Sequence, residues 1–435
     1  MGALVLGVTT MGMPAQGPAG LADSAQKDLP ALTEVYKHLH ENPELSGREV
    51  ETAAYLASAL KKLGYTVTTH VGKYANGTQA EGVVAVLENG PGPRVLLRTE
   101  LDALPVEEKT GVDYASHVKT TNAQGQTVGV MHACGHDLHM ASIYGTATIM
   151  AHSKDTWHGT LLLIGQPAEE TIGGAKAMIA DGLFTRFPKP DVALALHVVN
   201  LSPAGTVGIT PGVYNTNADS LRITIYGKGG HGSAPHTAID PIVIAARTIL
   251  ALQTITSREV KPGELAVVTV GYIQAGTKNN IIPDHADLGL TVRTRKADVR
   301  KQVLAAITRI VNAEAEAGGA PRPPSIDHDE STDLVYNDPT LAHRMQAVLE
   351  SALGKENVLL EEPITASEDF SFFTAQGIPG FYFSLGGADP DKFAEAKASG
   401  TQLPSNHSPL FAPDVDPALH TGITAEVAVL RSLLK

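Results

Sequence analysis

Two uninterrupted apolar runs constrain this chain more than any other feature: TLLLIG at residues 160–165 and VALALH at 192–197. A strand with one wet face alternates polar and apolar residues. A strand with no polar position has to be covered on both faces, as parallel strands between helical layers are. A helix-forming stretch at 175–181 separates the two runs, and short β-rich runs at 83–87 and 94–99 precede them. Helical patterns cover 29–40, 49–63 and 138–152, with Gly64 closing the second and Asp137 capping the third. This alternation predicts an α/β fold with helices on both faces of a sheet.

The pattern changes after residue 214. Alternating strands at 220–226, 265–273 and 287–295 and helices at 241–256 and 298–317 follow the order of a split β-α-β layer. Residues 318–324 (GGAPRPP) read as a linker, and the α/β pattern resumes at 341–353, 381–385 and 418–433. The predicted organisation is an α/β domain of residues 23–214 and 323–435, interrupted by a smaller α+β domain of residues 215–322. Residues 1–22 carry no charged side chain, and 3–13 form an apolar run of signal-peptide length that ends before GLA at 20–22. They predict a signal peptide and export to the periplasm or medium, with a cytoplasmic location as the alternative. No later run is long and apolar enough for a membrane helix.

Composition narrows the chemistry. With 33 basic and 46 acidic residues the net charge is −13, which disfavours nucleic acid as a partner. Cys134 is the single cysteine, so an intrachain disulfide and multi-cysteine zinc or iron–sulfur sites are excluded. Seventeen histidines point to metal or acid–base chemistry.

The strongest motif is HACGHD at 132–137, placed between an apolar run ending at Met131 and a helix opening at Leu138. Ligands of open α/β folds sit in such strand-to-helix loops. The Cys134 thiol and the His136 imidazole can face one ion, Gly135 permits a tight turn, and Asp137 is placed to hold a ring N–H of a ligating histidine. GQPAEE at 165–170 follows the TLLLI strand. Its paired carboxylates, Glu169 and Glu170, repel each other unless positive charge sits there, so one can bind metal while the other serves as base. His197 ends the VALALH run, and His407 lies in a late SNHSP loop. The N-x-S/T matches at Asn76 and Asn406 read as chance. There is no H-E-x-x-H, Walker loop or G-x-S-x-G. GKGGHG at 227–232 matches a dinucleotide loop but lacks the acidic residue about 20 positions on. His231 inside it, with Pro235 and Pro241 nearby, points to a plain loop.

Together HACGHD, GQPAEE, LHV at 196–198, GKGGHGSAPH at 227–236, NIIP at 280–283, SEDF at 367–370 and NHSP at 406–409 carry a resemblance. From residue 28 onward the chain resembles dinuclear metallohydrolases of the aminoacylase and carboxypeptidase superfamily, in the branch of hippurate hydrolases and auxin–amino-acid conjugate amidohydrolases. The resemblance implies Cys134, His136, Glu170, His197 and His407 as ligands of two divalent ions (Mn, Zn, Co or Ni), with Glu169 as the catalytic carboxylate. It implies that residues 215–322 form a lid and dimerisation domain of a homodimer, whose His231 reaches a substrate in its own or the neighbouring subunit. The implied substrate is a small amide, an N-acyl amino acid or related hippurate-like conjugate. Asn280 and Arg293 are candidates for holding its carboxylate, Arg293 through a two-point fork. Glu100 stands where the branch has aspartate, and Ser233 where alanine is common.

In the expected reaction, metal lowers the pKa of a water, Glu169 takes its proton during attack on the amide and returns it to the leaving amine, and His231 bonds the oxyanion or the carboxylate. Competing readings are a carboxypeptidase or dipeptidase of the same superfamily, a cysteine amidase using Cys134 with His132 or His136, and a non-catalytic metal-binding scaffold.

Overall fold

The computed structural model describes residues 18–435. The expected signal peptide lies outside the described residues except for 18–22, whose backbone opens the helix Pro18–Glu41.

Four parallel strands form the middle of the large sheet, in the spatial order Gly159–Gln166, Arg94–Glu100, Val192–Pro203 and Gly380–Ala388. Every residue of 380–388 is buried, as is all but one of 159–166. The apolar runs are thus covered on both faces, as their lack of alternation requires. Antiparallel strands Gln79–Asn89 and Thr66–Lys73 extend one edge.

Helices Pro18–Glu41, His136–His152 and Val415–Leu433 cover one face through Leu32, Tyr36, Met140, Ile143, Leu419 and Ile423. The short helices Gly174–Ala180 and Ser371–Thr374 cover the other, over Leu162, Ile164, Met178, Phe373 and Tyr382. The architecture is α/β, with parallel strand ends converging beside the start of helix 136–152.

Two local expectations are corrected. Helix 136–152 opens two residues earlier than the pattern suggested, with Gly135 as its N-cap at φ 86°. Asp137 sits in the first turn and bonds the Leu138 N–H at 2.9 Å. An alanine Cβ at 135 would lie 2.3 Å from Val198 Cγ1, so glycine is required there on two counts. His197 does not end its strand either. The strand continues to Pro203, and His197 pairs with Ser384 within it. The polar Asn200 and Ser202 had made this extension look like loop.

The second sheet is antiparallel, in the order Ala266–Gln274, His285–Thr294, Asn217–Tyr226, Ser325–Thr332. Helices Pro241–Thr254 and Ala297–Ala317 pack on one face over Leu221, Ile223, Leu290, Val292, Val303 and Ile307. The expected end of this unit at 322 falls short. Residues 325–332 (SIDHDEST) form its fourth strand, and GGAPRPP turns the chain within it. That strand is mostly exposed and polar, so no apolar alternation announced it. The chain crosses between the two sheets twice, side by side. Tyr214 N–H donates to Val335 O at 2.9 Å, and Val335 N–H donates to Asn215 Oδ1 at 2.7 Å. Among the described residues no helix is long and apolar enough to cross a membrane.

Candidate metal centre and active site

The carboxyl ends of the parallel strands bring distant residues together. Cys134 Sγ lies 3.4 Å from His197 Nε2 and 3.2 Å from His407 Nε2. His407 Nε2 lies 3.4 Å from Glu170 Oε1, and His136 Nε2 lies 4.0 Å from a carboxylate oxygen of each of Glu169 and Glu170. Donor atoms within 4.8 Å of one another form five overlapping groups among the described residues; three of them, Cys134–His136–His197, Cys134–Glu170–His407 and His136–Glu169–Glu170, consist of the expected ligands and Glu169, and the other two add Glu100 and His139, and Glu368 and Asp369. All five residues expected as ligands, and Glu169, therefore share one cluster.

Local structure aims these side chains. His136 Nδ1 meets the carbonyl of Asp102 at 2.8 Å, and His197 Nδ1 meets the carbonyl of Val198 at 2.9 Å. A carbonyl only accepts, so Nδ1 of each ring is the donor and Nε2 turns its lone pair to the cluster. His136 Nε2 is buried with no hydrogen-bond partner. Ala168 and His407 hold left-handed backbone, at φ 48° and 69°, at a cost of order 1 kcal/mol or more each. The buried Glu49 accepts the Ala168 N–H at 2.9 Å and braces the turn that delivers Glu169 and Glu170. Asp102 Oδ2 accepts Ser46 Oγ at 2.7 Å and the Glu170 N–H at 3.0 Å. Holding the ring N–H of a ligand histidine, expected of Asp137, falls to Asp102, whose carbonyl oxygen accepts the His136 Nδ1–H. Asp137 bonds His40 instead, at 2.7 Å.

The electrostatics show what the cluster lacks. Burial pushes the Cys134 thiol well up, and the Glu170 and Glu169 carboxylates push it further. Burial, with Glu368 and Glu170 alongside, drives Glu169 well above the usual carboxylate range. Burial opposes charge on His136, but Asp102 and Glu100 outweigh it and raise the imidazole to about 10. Too much negative charge is gathered in one dry place, and divalent cations would relieve it. Thiolate, imidazole and carboxylate donors in reach of an orphaned Nε2 fit such ions.

Sequence reasoning missed the support behind this cluster. Arg98 is fully buried and pairs with Glu100, with Glu368 at 2.7 Å and with Asp369 at 3.0 Å. Tyr382 donates to Glu368 Oε2 at 2.8 Å, and His139 Nδ1 meets Glu100 at 2.9 Å. Glu100, the residue that departs from aspartate, thus lies between an arginine and a histidine behind the centre. One signal was readable: a lone arginine inside the apolar strand RVLLRTE requires a buried anion. His132, by contrast, is buried with neither ring nitrogen hydrogen-bonded, so it does not engage the Cys134 thiol.

The cluster opens into a cavity of about 740 Å³ that is also lined by Tyr214, Arg293, Ile364 and Asn406. Of the residues expected at the substrate, only Arg293 is there; its guanidinium also donates to Thr291 Oγ1 at 2.6 Å. His231 and Asn280 do not line the cavity. His231 is exposed on the short strand Gly230–His231, paired with Ile281–Ile282, and Asn280 O accepts the neighbouring Gly232 N–H at 2.8 Å. The two are adjacent to each other on the small domain, outside the lining of the cavity.

Comparisons with known proteins place the chain in a family. Thermostable carboxypeptidase 2 of Saccharolobus solfataricus is 36% identical over 387 residues, covering 88% of this chain and 91% of that protein. The hippurate hydrolase of Campylobacter jejuni is 38% identical over 357 residues, covering 80% and 86%. A crystal structure of a dinuclear metal-binding M20 peptidase from Bacillus subtilis superposes with a TM-score of 0.72 at 28% identity, covering 94% of this chain and 99% of the other. Residues 96–400 match the profile of peptidase family M20/M25/M40. Motif order, fold and a shared cluster of metal-binding side chains lead to one assignment: the chain is a hydrolase belonging to peptidase family M20/M25/M40.

Proposed function

We propose that this hydrolase cleaves the amide bond of N-acyl amino acids or related hippurate-like conjugates, releasing a carboxylic acid and an amino acid. The observation that carries the reading is the convergence of Cys134, Glu170, His197 and His407 at a cavity that Glu169 and Arg293 also line, with His136 buried in the same cluster behind them. Two divalent ions held by those five residues would supply Lewis acidity, polarising the amide carbonyl and lowering the pKa of a water. Glu169 takes the proton of the attacking water and returns it to the leaving nitrogen. Its place at the edge of the cluster supports this role: a carboxylate oxygen of Glu169 lies 4.0 Å from His136 Nε2 and the residue lines the cavity. Arg293 receives the substrate carboxylate.

The small domain supports a homodimer. Its edge strand Ala266–Gln274 exposes Tyr272 and Ile273, and helix Pro241–Thr254 exposes Val243 and Leu250 beside it. An unpaired edge with apolar neighbours is covered by a second copy. His231, which is exposed and does not line its own cavity, then serves the partner's. The uncharged segment 1–22 supports export of the mature chain.

The test is elemental analysis of the purified protein, with N-benzoylglycine, other N-acyl amino acids and dipeptides assayed before and after chelation. Two equivalents of divalent metal and chelator-reversible hydrolysis of the N-acyl amino acids are expected. Preference for dipeptides would move the chain to the carboxypeptidase or dipeptidase reading. Thiol-sensitive, chelator-insensitive turnover would give Cys134 a nucleophilic role, and bound metal without any turnover would leave a scaffold.

A further inference from the structure

Arg293 and Glu330 both line the cavity, and both stand on one face of the small sheet. Residues paired across antiparallel strands share a face, as do alternate residues along a strand. Ala218 pairs with Arg293 on one side, and Ser220 pairs with Glu330 on the other. The helices occupy the opposite face, over Leu221, Ile223 and Val292. Arg293 and Glu330 therefore share the surface turned toward Glu169.

Glu330 reaches that surface through an irregularity. Arg222 pairs with Asp327 and Leu221 with His328, but Ser220 pairs with Glu330, so Asp329 is an extra residue. Without this bulge Asp329 would stand opposite Ser220, and Glu330 would turn to the helix side. Among the described residues neither Arg293 nor Glu330 enters an ion pair within 4.0 Å; Asp219 acts on Arg293 and Lys176 on Glu330 only at longer range. Lys176, in the same neighbourhood, donates to Ser331 O at 2.9 Å and lies 4.5 Å from the centre of the Phe372 ring. Strand Asn217–Tyr226 runs between the two charges, and their partners on it, Ala218 and Ser220, are two residues apart, so their backbones stand ~12 Å apart.

We propose that Arg293 and Glu330 together select amides of amino acids with a cationic side chain, Arg293 taking the α-carboxylate and Glu330 the side-chain ammonium of a lysine-like group. A free amino acid of that kind carries its two charges several bonds apart, which suits a wall whose anion and cation are separated by one strand. This specificity rests on the amidohydrolase reading above.

The experiment compares kcat/KM for Nα-benzoyl-lysine, -norleucine, -glutamate and -glycine on the metal-loaded enzyme. Lysine should exceed norleucine by about ten-fold, the scale of one charge-assisted hydrogen bond, and the ratio should shrink as salt is raised. Glu330→Gln should bring the ratio toward one, and Glu330→Lys should invert it in favour of glutamate. A lysine preference that survives both substitutions, or turnover of the glycine and norleucine amides with no lysine preference, overturns the proposal and leaves the amidohydrolase reading standing. If no amide is turned over, that reading fails. Calorimetric binding of Nα-benzoyl-lysine against Nα-benzoyl-norleucine, to the wild-type chain and to Glu330→Gln, then decides the selection by itself.

Discussion

Glu426 offers a test of how the interior treats a lone carboxyl. It lies in helix Val415–Leu433, buried against helix His136–His152, where its Oε2 accepts Ser142 Oγ at 2.9 Å and Thr146 Oγ1 at 2.6 Å. No cation pairs with it among the described residues, and burial raises it from 4.5 to about 8 against the opposing effect of the two hydroxyls. Below pH 4.5 both the folded and unfolded chains hold this proton, and the group leaves stability unchanged. From pH 4.5 to 8 the unfolded chain releases it while the folded chain keeps it, so stability falls by about 1.4 kcal/mol per unit. Above pH 8 the loss is complete. Across that window the loss reaches about 5 kcal/mol at most, and about half of that once water and relaxation soften the site. Glu426→Gln keeps the shape and removes the titration. Urea unfolding of both proteins at pH 5, 6, 7, 8 and 9, at one fixed metal concentration, should show the variant gaining on the parent by about 2–3.5 kcal/mol, on the same order-of-magnitude basis, between pH 5 and 8. Stability curves that stay parallel across that range would refute the reasoning.

Four other outcomes are expected. Glu169→Gln should cut turnover by at least ~10²-fold, the scale of general acid–base catalysis, with unchanged metal on elemental analysis; near-normal turnover would remove Glu169 from its role. Cys134→Ala should lower metal occupancy and activity together, and excess metal should partly restore both, whereas lost activity with both metals bound would point to a nucleophile. Gly135→Ala should destabilise the chain by about 2–4 kcal/mol, from left-handed strain plus the clash with Val198; an unmoved urea midpoint would contradict this. His231→Ala should impair turnover and spare metal, and mixing it with Glu169→Gln should recover activity, because one hybrid site keeps both residues. No recovery despite proven subunit exchange would confine His231 to its own subunit or to no role.

The parts of the fold that could be read in advance are those whose burial is written as local pattern. TLLLIG and VALALH are strands because nothing in them tolerates water, and HACGHD and GQPAEE mark the ends where helices and turns take over. The polar edge strand Ser325–Thr332 is held mainly by its ladder to strand 217–226, with Ile326 as its one apolar side chain, so it left no alternation in the sequence pattern. The Arg98 network was hidden for another reason: its partners Glu368 and Asp369 lie 270 and 271 positions away. His231 was legible as a motif residue, but where it points depends on how the two sheets are mounted, which no short stretch of sequence encodes.

The paired crossings at Tyr214, Asn215 and Val335 have an evolutionary consequence. A module that leaves and re-enters its host at neighbouring backbone positions behaves as a cassette: joining 214 to 335 by a short turn would leave the path of the host sheet unaltered. Descendants of such a chain can enlarge, exchange or shed the cassette without touching Cys134, His136 or Glu169. What travels with it is the wall bearing Arg293 and Glu330, and His231 as well, so on the roles proposed above an exchange would carry substrate selection and the His231 contact together, while the metal-binding cluster stays with the host.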